Sequence, residues 1–352
     1  MGGVFELQSS MGSVRTSLKG SIDRQKDDAF RTLIGHSNKV SSVCITKNGL
    51  HVISGSDDHT VKMWSTRSGE CEKTMSIHNG WIYSVNISSN EESMVSGSWD
   101  EKLSLWNVLT GRKSHSISVE NCWIYSLCMS VDMLYLIGGL EDCSIRMWSM
   151  ESGQLARTFL GHEGAVFSVV ASNSGKSIVS GSKDGTVKVW DIVSGECLRT
   201  MTGHLGNVYA VCCSVNGELV VSGSRDKTVK VRNFVSGEYL GTLLGHTGSV
   251  YCVAINHAGS LIVSGSEDET IRLWRWPTKQ CIRTLCGHRG LVRAIHMNET
   301  WIASASSDGT VKLWELNPAP KPAETEENSE KKKGNGKEKE KEKDKGKGMG
   351  RV

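Results

Sequence analysis

Residues 161–202 read GHEGAVFSVVASNSGKSIVSGSKDGTVKVWDIVSGECLRTMT, a run in which strand-forming segments alternate with turn residues. Four short segments within it are rich in Val, Ile and Thr, as β-strands are: 166–170, 177–180, 186–190 and 197–200. Turn residues separate the segments, among them Asp184-Gly185 and Ser194-Gly195. No window of similar length shows sustained helical spacing. The stretch therefore predicts four antiparallel strands joined by tight turns.

The pattern recurs along the chain with a period of 42 residues. A histidine keeps this step, with Glu120 in the third place: His36, His78, His162, His204, His246 and His288. An aspartate does the same, the last copy two residues early: Asp58, Asp100, Asp142, Asp184, Asp226, Asp268 and Asp308. A tryptophan follows each aspartate, except that Arg232 stands in the fifth copy: Trp64, Trp106, Trp148, Trp190, Trp274 and Trp314. Periods near 40–45 residues indicate propeller blades.

These motifs resemble those of the WD-repeat family, in particular its seven-bladed members. The resemblance covers about residues 27–315 and rests on Gly-His pairs such as Gly161-His162, on Ser-Gly-Ser-x-Asp turns and on the strand-ending tryptophans. Among the strand-ending tryptophans, only Trp190 is followed by aspartate, as the literal Trp-Asp pair Trp190-Asp191. The resemblance implies an all-β fold, a single seven-bladed β-propeller of four-stranded antiparallel blades over residues 27–316.

The last repeat supplies only three strands before its pattern stops. Upstream of the first repeat, Ala29-Phe30-Arg31-Thr32-Leu33 corresponds to Cys197-Leu198-Arg199-Thr200. In propellers of this family an N-terminal strand completes the final blade and pairs strand edges that would otherwise stay open. We therefore expect residues 29–33 to form the outer strand of the seventh blade.

The charge of the chain is concentrated in its last segment. Of 41 basic and 38 acidic residues, eleven and eight lie in 317–352, which leaves 30 of each elsewhere. Such a balance argues against a general nucleic-acid or membrane surface, so we expect nucleic acid to bind only weakly, through this tail. The Lys/Glu-rich composition of 317–352 predicts disorder, as does the unpatterned segment 1–26. No apolar run approaches the roughly 18 residues of a membrane span.

Eleven cysteines invite a disulfide or metal interpretation. No CxxC pair occurs, and Cys212 and Cys213 are adjacent, which suits neither a zinc site nor ordinary bridges. Several cysteines instead recur at the repeat period, as buried hydrophobic residues do. We expect structural thiols in a reducing compartment, the cytoplasm or alternatively the nucleus, and neither a metal nor a cofactor.

Recurring His, Ser and Asp residues also raise the possibility of a hydrolase. The resemblance implies instead that they form buried hydrogen-bond networks with the tryptophans: His36-Ser54-Asp58-Trp64, His162-Ser180-Asp184-Trp190 and His246-Ser264-Asp268-Trp274. Near-identical copies in several blades do not fit catalysis, which needs one site. HExxH, GxSxG and P-loop motifs are absent from the sequence. We expect no enzymatic activity.

Two repeats depart from the pattern. The third has Glu120 and Gly138 in place of His and Ser, and the fifth has Arg232 in place of Trp. The departures are either drift without a role or, for Arg232, a contact to an outside partner.

An aromatic residue recurs five positions after the repeat histidine. This position reads Ser41, Tyr83, Tyr125, Phe167, Tyr209, Tyr251 and Arg293. The position two residues earlier contains Lys39, Trp81 and Trp123. The residue before the network aspartate is Asp57, Trp99, Glu141, Lys183, Arg225 or Glu267 in the first six repeats. The resemblance implies that these residues surround the mouth of the central channel, where the aromatics either pack between blades or bind a partner.

A non-catalytic scaffold or adaptor is the function this pattern favours. It would be a monomeric disc within a larger complex, with proteins or peptides as partners and an inserted Arg or Lys side chain as one recognition element. The first alternative is a substrate-receptor subunit of a ubiquitin ligase, although the arginine that some such propellers carry two residues beyond Trp-Asp is Val193 here. An enzyme that uses the channel mouth is the least favoured alternative.

Overall fold

The computed structural model describes residues 28–316, except 77, 89, 109, 120 and 121. Every regular element among them is a β-strand, and this part of the chain contains no helix. The segments 1–26 and 317–352, for which we predict disorder, lie outside the described residues.

Twenty-eight strands follow one another along the chain. In order they are β1 (Arg31–Leu33), β2 (Val40–Ile45), β3 (His51–Ser56), β4 (Thr60–Ser65), β5 (Cys71–Ser76), β6 (Ile82–Ile87), β7 (Ser93–Ser98), β8 (Lys102–Asn107), β9 (Lys113–Ser118), β10 (Ile124–Met129), β11 (Tyr135–Leu140), β12 (Ile145–Ser149), β13 (Leu155–Phe159), β14 (Val166–Ala171), β15 (Ser177–Ser182), β16 (Val187–Asp191), β17 (Cys197–Met201), β18 (Val208–Cys213), β19 (Leu219–Ser224), β20 (Val229–Asn233), β21 (Tyr239–Leu243), β22 (Val250–Ile255), β23 (Leu261–Ser266), β24 (Ile271–Arg275), β25 (Gln280–Leu285), β26 (Val292–Met297), β27 (Trp301–Ser306) and β28 (Val311–Glu315).

The strands form seven antiparallel sheets of four, which are the blades of a propeller. Blade 1 contains β2 to β5, and each blade from 2 to 6 takes the next four strands, so that blade 4 has the order β14-β15-β16-β17. Its central pair aligns Val179 with Val189. The prediction of an all-β, seven-bladed propeller is confirmed.

Blade 7 is completed by the N-terminal strand. Its sheet has the order β1-β28-β27-β26, with Thr32 opposite Lys312, and β2 packs beside β26 to close the ring. The closing strand is two residues shorter than the predicted 29–33. Phe30 still donates its N–H to the Leu313 carbonyl at 2.9 Å, but its ring turns to pack against Trp301, with the ring centroids 4.7 Å apart.

The hydrophobic core lies between neighbouring blades. The second strand of each blade is almost wholly buried, as β15 shows along its full length. Blades approach so closely that a Cβ on Gly181 would lie 2.8 Å from Val208 and 2.9 Å from Val211 of the next blade. Glycine in such a strand marks a close approach of neighbouring structure. Because neighbouring blades pack this closely, the inner strands and the loops next to them have fixed positions relative to one another.

Candidate functional site

A buried hydrogen-bond network ties each regular blade together. In blade 4 the Trp190 indole N–H donates to the Ser180 hydroxyl at 2.8 Å, and that hydroxyl donates to His162 Nε2 at 2.7 Å. His162 Nδ1–H donates to Asp184 at 2.7 Å. Burial lowers the pKa of His162 against the effect of Asp184. Burial alone would raise the pKa of Asp184, but hydrogen bonds from Thr186 and His162 outweigh it and lower the pKa.

The other two predicted networks have the same geometry. His36 lies 2.7 Å from both Asp58 and Ser54, and Trp64 donates to Ser54 at 2.8 Å. In blade 6 the corresponding distances are all 2.8 Å, for His246 to Asp268, His246 to Ser264 and Trp274 to Ser264. The three serines are fully buried and their hydroxyls are already hydrogen-bonded. A hydroxyl held in this way is a structural group of a satisfied polar network.

The two irregular blades differ from one another. In blade 5 the Arg232 side chain is only 8% exposed, donates to the Thr202 carbonyl and lies over the Tyr239 ring at 5.7 Å. These contacts hold Arg232 inside the propeller, so the alternative of a contact to an outside partner is wrong for this residue. In blade 3, Gly138 leaves Trp148 without a serine hydroxyl, while Glu120 lies outside the described residues.

Five aromatic rings form a continuous arc on the inner strands of blades 2 to 6. Successive ring centroids are 5.6 Å apart from Tyr83 to Tyr125, 5.1 Å from Tyr125 to Phe167, 5.5 Å from Phe167 to Tyr209 and 4.4 Å from Tyr209 to Tyr251. Each of the five side chains is half-buried. They pack on one another across the blade boundaries and still present part of each ring to solvent.

Three tryptophans extend the aromatic surface at blades 2 and 3. Trp99 lies between Trp81 and Trp123, with ring centroids 4.1 Å and 4.7 Å away. Trp81 is 37% exposed, a high fraction for the largest apolar side chain. We call the arc, these tryptophans and the charged residues around them the mouth.

Charged side chains of both signs surround the arc. Asp57 accepts a hydrogen bond from Ser41 at 2.8 Å, Glu267 accepts one from Ser249 at 2.8 Å, and Arg293 donates to Ser307 at 2.8 Å. The remaining predicted basic residues are exposed: Lys39, Lys183 and Arg225. The mouth is therefore bipolar.

The acidic groups lie close enough to the tyrosines to act on them electrostatically. Burial raises the pKa of Tyr125 to about 12, with a further contribution from Glu141. Burial, Tyr209 and Glu267 together raise the pKa of Tyr251 to about 12. These phenols stay neutral at physiological pH. The carboxylates of Glu141 and Glu267 place negative charge near their rings.

A cavity of about 510 Å³ opens between blades 3 and 4 of the mouth. Tyr125 and Phe167 line it together with Glu141, Glu163 and Lys183. Its volume falls within the roughly 300–1,000 Å³ of ligand pockets. Aromatic faces beside carboxylates suit a guanidinium or ammonium group.

The sequence analysis missed two side chains with polar or reactive groups in this cavity, those of Glu163 and Cys143. Each directly follows a repeat position, Glu163 after His162 and Cys143 after Asp142. Reading the positions next to the network residues, and not only the inner-strand positions, would have found both.

The described residues contain no group of three or more His, Cys, Asp or Glu side chains that could hold a metal ion. All eleven cysteines are free thiols. In the same part of the chain no helix has the length and apolarity needed to cross a membrane.

A family model described as "WD domain, G-beta repeat" (WD40) matches the chain seven times, at 28–65, 69–107, 111–149, 153–191, 195–233, 237–275 and 279–315. Each match begins one to three residues before the outer strand of one blade and ends on the third strand of the next. This one-strand offset is why the N-terminal strand must complete the last blade.

Two curated relatives match locally. Nuclear distribution protein nudF 1 of Talaromyces marneffei is 31% identical over 78 residues, which is 20% of this chain and 17% of the relative. A Ribosome biogenesis protein BOP1 homolog of Drosophila grimshawi is 49% identical over 41 residues, 12% of this chain and 5% of the relative. The matched part is thus less than a fifth of either relative.

WD40 propellers generally mediate protein–protein interaction and are generally non-catalytic scaffolds. The seven matches span nearly all of the described residues and follow the seven blades in order. The chain belongs to the WD40 family.

Proposed function

We propose that this protein is a non-catalytic adaptor that docks a peptide of a partner protein on the mouth and holds other proteins on its remaining surfaces. The observation that carries the proposal is the unbroken arc of half-buried rings from Tyr83 to Tyr251, which opens at blades 3 and 4 into a cavity lined by carboxylates. The occupant best suited to that cavity is an Arg or Lys side chain of the peptide.

The burial of the aromatics supports binding in addition to packing. Rings that served only to fill space between blades would be covered, as Trp64 and Trp190 are at 1% exposed. The rings of the arc keep exposed faces, and Trp81 and Trp99 pack against each other at a tilt of 51° outside the core. Tyr and Trp supply large contact areas at small entropic cost and dominate interface hot spots.

The charges favour a peptide of mixed charge over nucleic acid. Glu141 and Glu163 line the cavity together with Lys183, so that both signs of charge face its interior. A polyanion gains affinity from clustered basic residues, which this bipolar mouth lacks. A cation placed over one of the rings would contribute about 0.5–2 kcal/mol. We place this activity in the cytoplasm or the nucleus, in keeping with the free thiols.

Quantitative pull-down from cell extract tests the proposal with two variants. The first is Tyr125→Ala, Phe167→Ala, Tyr209→Ala, and the second is Glu141→Lys, Glu163→Lys, which reverses charge at exposed positions. A matched control, Glu196→Lys, Glu238→Lys, reverses charge at exposed turn residues away from the mouth. Circular dichroism establishes that all are folded. We expect both mouth variants to lose the same partners and the control to keep them. Identical partners for all four proteins would contradict the proposal.

A further inference from the structure

Basic side chains join neighbouring blades at their outer edges. We call a seam the contact between the outer strand of one blade and the turn that precedes the outer strand of the next. In the seam of blades 7 and 1, Arg31 donates to the carbonyls of Ser68 at 2.7 Å and Arg67 at 3.0 Å. In the seam of blades 3 and 4, Arg157 donates to the Ser194 carbonyl at 2.9 Å.

Other seams are filled in related ways. Lys73 donates to the Val108 carbonyl at 3.0 Å between blades 1 and 2, and Arg283 donates to the Glu315 carbonyl at 2.9 Å between blades 6 and 7. Two more seams hold a long side chain against a glycine, Arg199 at Gly237 and Lys279 at Gly241. A long basic side chain therefore occupies six of the seven seams.

The seam of blades 2 and 3 is the exception. His115 stands where Lys73 and Arg157 stand, one repeat away in either direction. The His115 side chain is exposed, and it makes no hydrogen bond to any residue that the structure describes. The facing carbonyls, of Glu151 and Ser152, correspond to those that Arg31 contacts and receive no hydrogen bond in this part of the structure.

The same seam contains a tryptophan in an altered orientation. In blade 4, Cη2 at the far end of the Trp190 ring faces Gly161, 3.4 Å from where its Cβ would be, while the N–H reaches Ser180. In blade 3, Val119 replaces that glycine. The far end of the Trp148 ring faces Gly138 instead, with Cζ3 2.9 Å from where its Cβ would be.

The turned ring leaves a polar group unused. Trp148 is only 3% exposed as a whole residue, and its N–H makes no hydrogen bond within the described residues. This N–H keeps contact with solvent, because the buried side-chain polar atoms that lack a partner in this part of the chain are Nε of Arg31 and Nε of Arg272. An indole N–H that has no partner in the protein and keeps contact with solvent is available as a donor to an incoming ligand. A ligand that supplied an acceptor would gain one hydrogen bond.

These departures together open a cavity of about 420 Å³. It is lined by His115, Ile117, Trp148, Ser152 and Leu155, among others. Ile117 is only half-buried, although its equivalents in blades 1 and 3, Met75 and Phe159, are buried. The space that a long basic side chain fills in other seams is unfilled in this one.

We propose that this cavity binds an arginine side chain of a partner protein, inserted where Arg31 and Arg157 lie in their own seams. The Glu151 and Ser152 carbonyls would accept from the guanidinium, whose planar fork suits two acceptors, and the Trp148 N–H would donate to a carbonyl of the incoming segment. Glu151 adds a negative charge found at no equivalent turn position, where the other residues are Arg67, Leu109, Val193, Val235 and Pro277. The site is separate from the mouth.

Titration of the full-length protein with N-acetyl-arginine N-methylamide tests the proposal. The readout is the ¹⁵N–¹H resonance of the Trp148 indole, assigned with Trp148→Phe. We expect a saturable shift, and binding about tenfold weaker for the N-acetyl-citrulline N-methylamide, which is uncharged. His115→Arg should abolish the shift by filling the seam from within the chain, and should raise the melting temperature. The matched control Ser114→Arg, on the same exposed strand, should do neither.

Three results would overturn the proposal: equal shifts with both compounds, an unchanged titration of His115→Arg, or no shift at all. If His115→Arg folds poorly, His115→Ala replaces it and must still bind. The triple aromatic variant of the mouth should bind normally, so failure here leaves the adaptor proposal untouched.

Discussion

Tyr209 and Tyr251, on the neighbouring inner strands β18 and β22, stack with ring centroids 4.4 Å apart and planes inclined by 7°. Burial, Tyr209 and Glu267 raise the pKa of Tyr251 to about 12. An unfolded tyrosine titrates near 10, so the unfolded chain loses this proton first as the pH rises. The raised pKa therefore costs stability above about pH 10.

We accordingly predict that Tyr251→Phe reduces the loss of unfolding free energy between about pH 9 and pH 11, because phenylalanine stacks without titrating. Urea denaturation at both pH values measures the effect. Tyr239→Phe, at a 52% exposed site, is the control and should leave the pH dependence as it is. A Tyr251→Phe protein with the wild-type pH dependence would contradict the prediction.

Acid should destabilise the propeller through its buried aspartates. Burial alone would raise the pKa of Asp268, but hydrogen bonds from His246 and Thr270 outweigh it and hold the pKa well below its usual range. A depressed pKa contributes stability above the unfolded value near 4, and that contribution is lost as the pH falls toward the folded value. We expect Asp268→Asn to lose less stability than the wild type between about pH 5 and pH 3. The exposed Glu238→Gln is the control; parallel curves for all three proteins would refute the argument.

Blade 5 offers a stabilising substitution. His204, Ser222 and Asp226 are in place there, but Arg232 occupies the tryptophan position and burial lowers its pKa. We predict that Arg232→Trp raises the unfolding free energy by about 1–2 kcal/mol, since apolar burial replaces a desolvated charge. The reciprocal Trp190→Arg should lower it by about 3 kcal/mol or more. Urea denaturation measures the unfolding free energy of both variants. A lower value for Arg232→Trp than for the wild type would contradict the prediction and show that blade 5 has repacked around arginine.

Closure of the ring rests on a three-residue strand. Leu33 of β1 is 1% exposed and belongs to the core between blades 7 and 1. We expect Leu33→Ala to lower the unfolding free energy by about 2–5 kcal/mol. Leu205→Ala makes the same change at a 94% exposed site and should have little effect. Thermal unfolding compares the two, and equal melting temperatures would mean that β1 does not contribute to closure.

The 42-residue period predicts the fold because every copy repeats both the strand pattern and the turn residues. It also predicts the inner-strand positions whose aromatic rings form the arc. The structural effect of a departure from the repeat pattern is harder to predict. The Trp148 ring turns because Val119 and Gly138 act together, and neither residue alone indicates a cavity. The sequence does contain a signal for the open seam. His115 stands at a repeat position where other copies have a long basic residue, namely Arg31, Lys73, Arg157, Arg199 and Arg283.

The most direct test of peptide docking at the mouth places a photo-crosslinking amino acid, p-benzoylphenylalanine, at Phe167. The control places it at Leu198, 45% exposed on the outer strand of the same blade. After irradiation in cells, we predict covalent adducts with a partner protein from position 167 that Glu141→Lys, Glu163→Lys removes. Adducts formed only from position 198, or adducts from 167 that persist in the charge-reversed protein, would contradict peptide docking at the mouth.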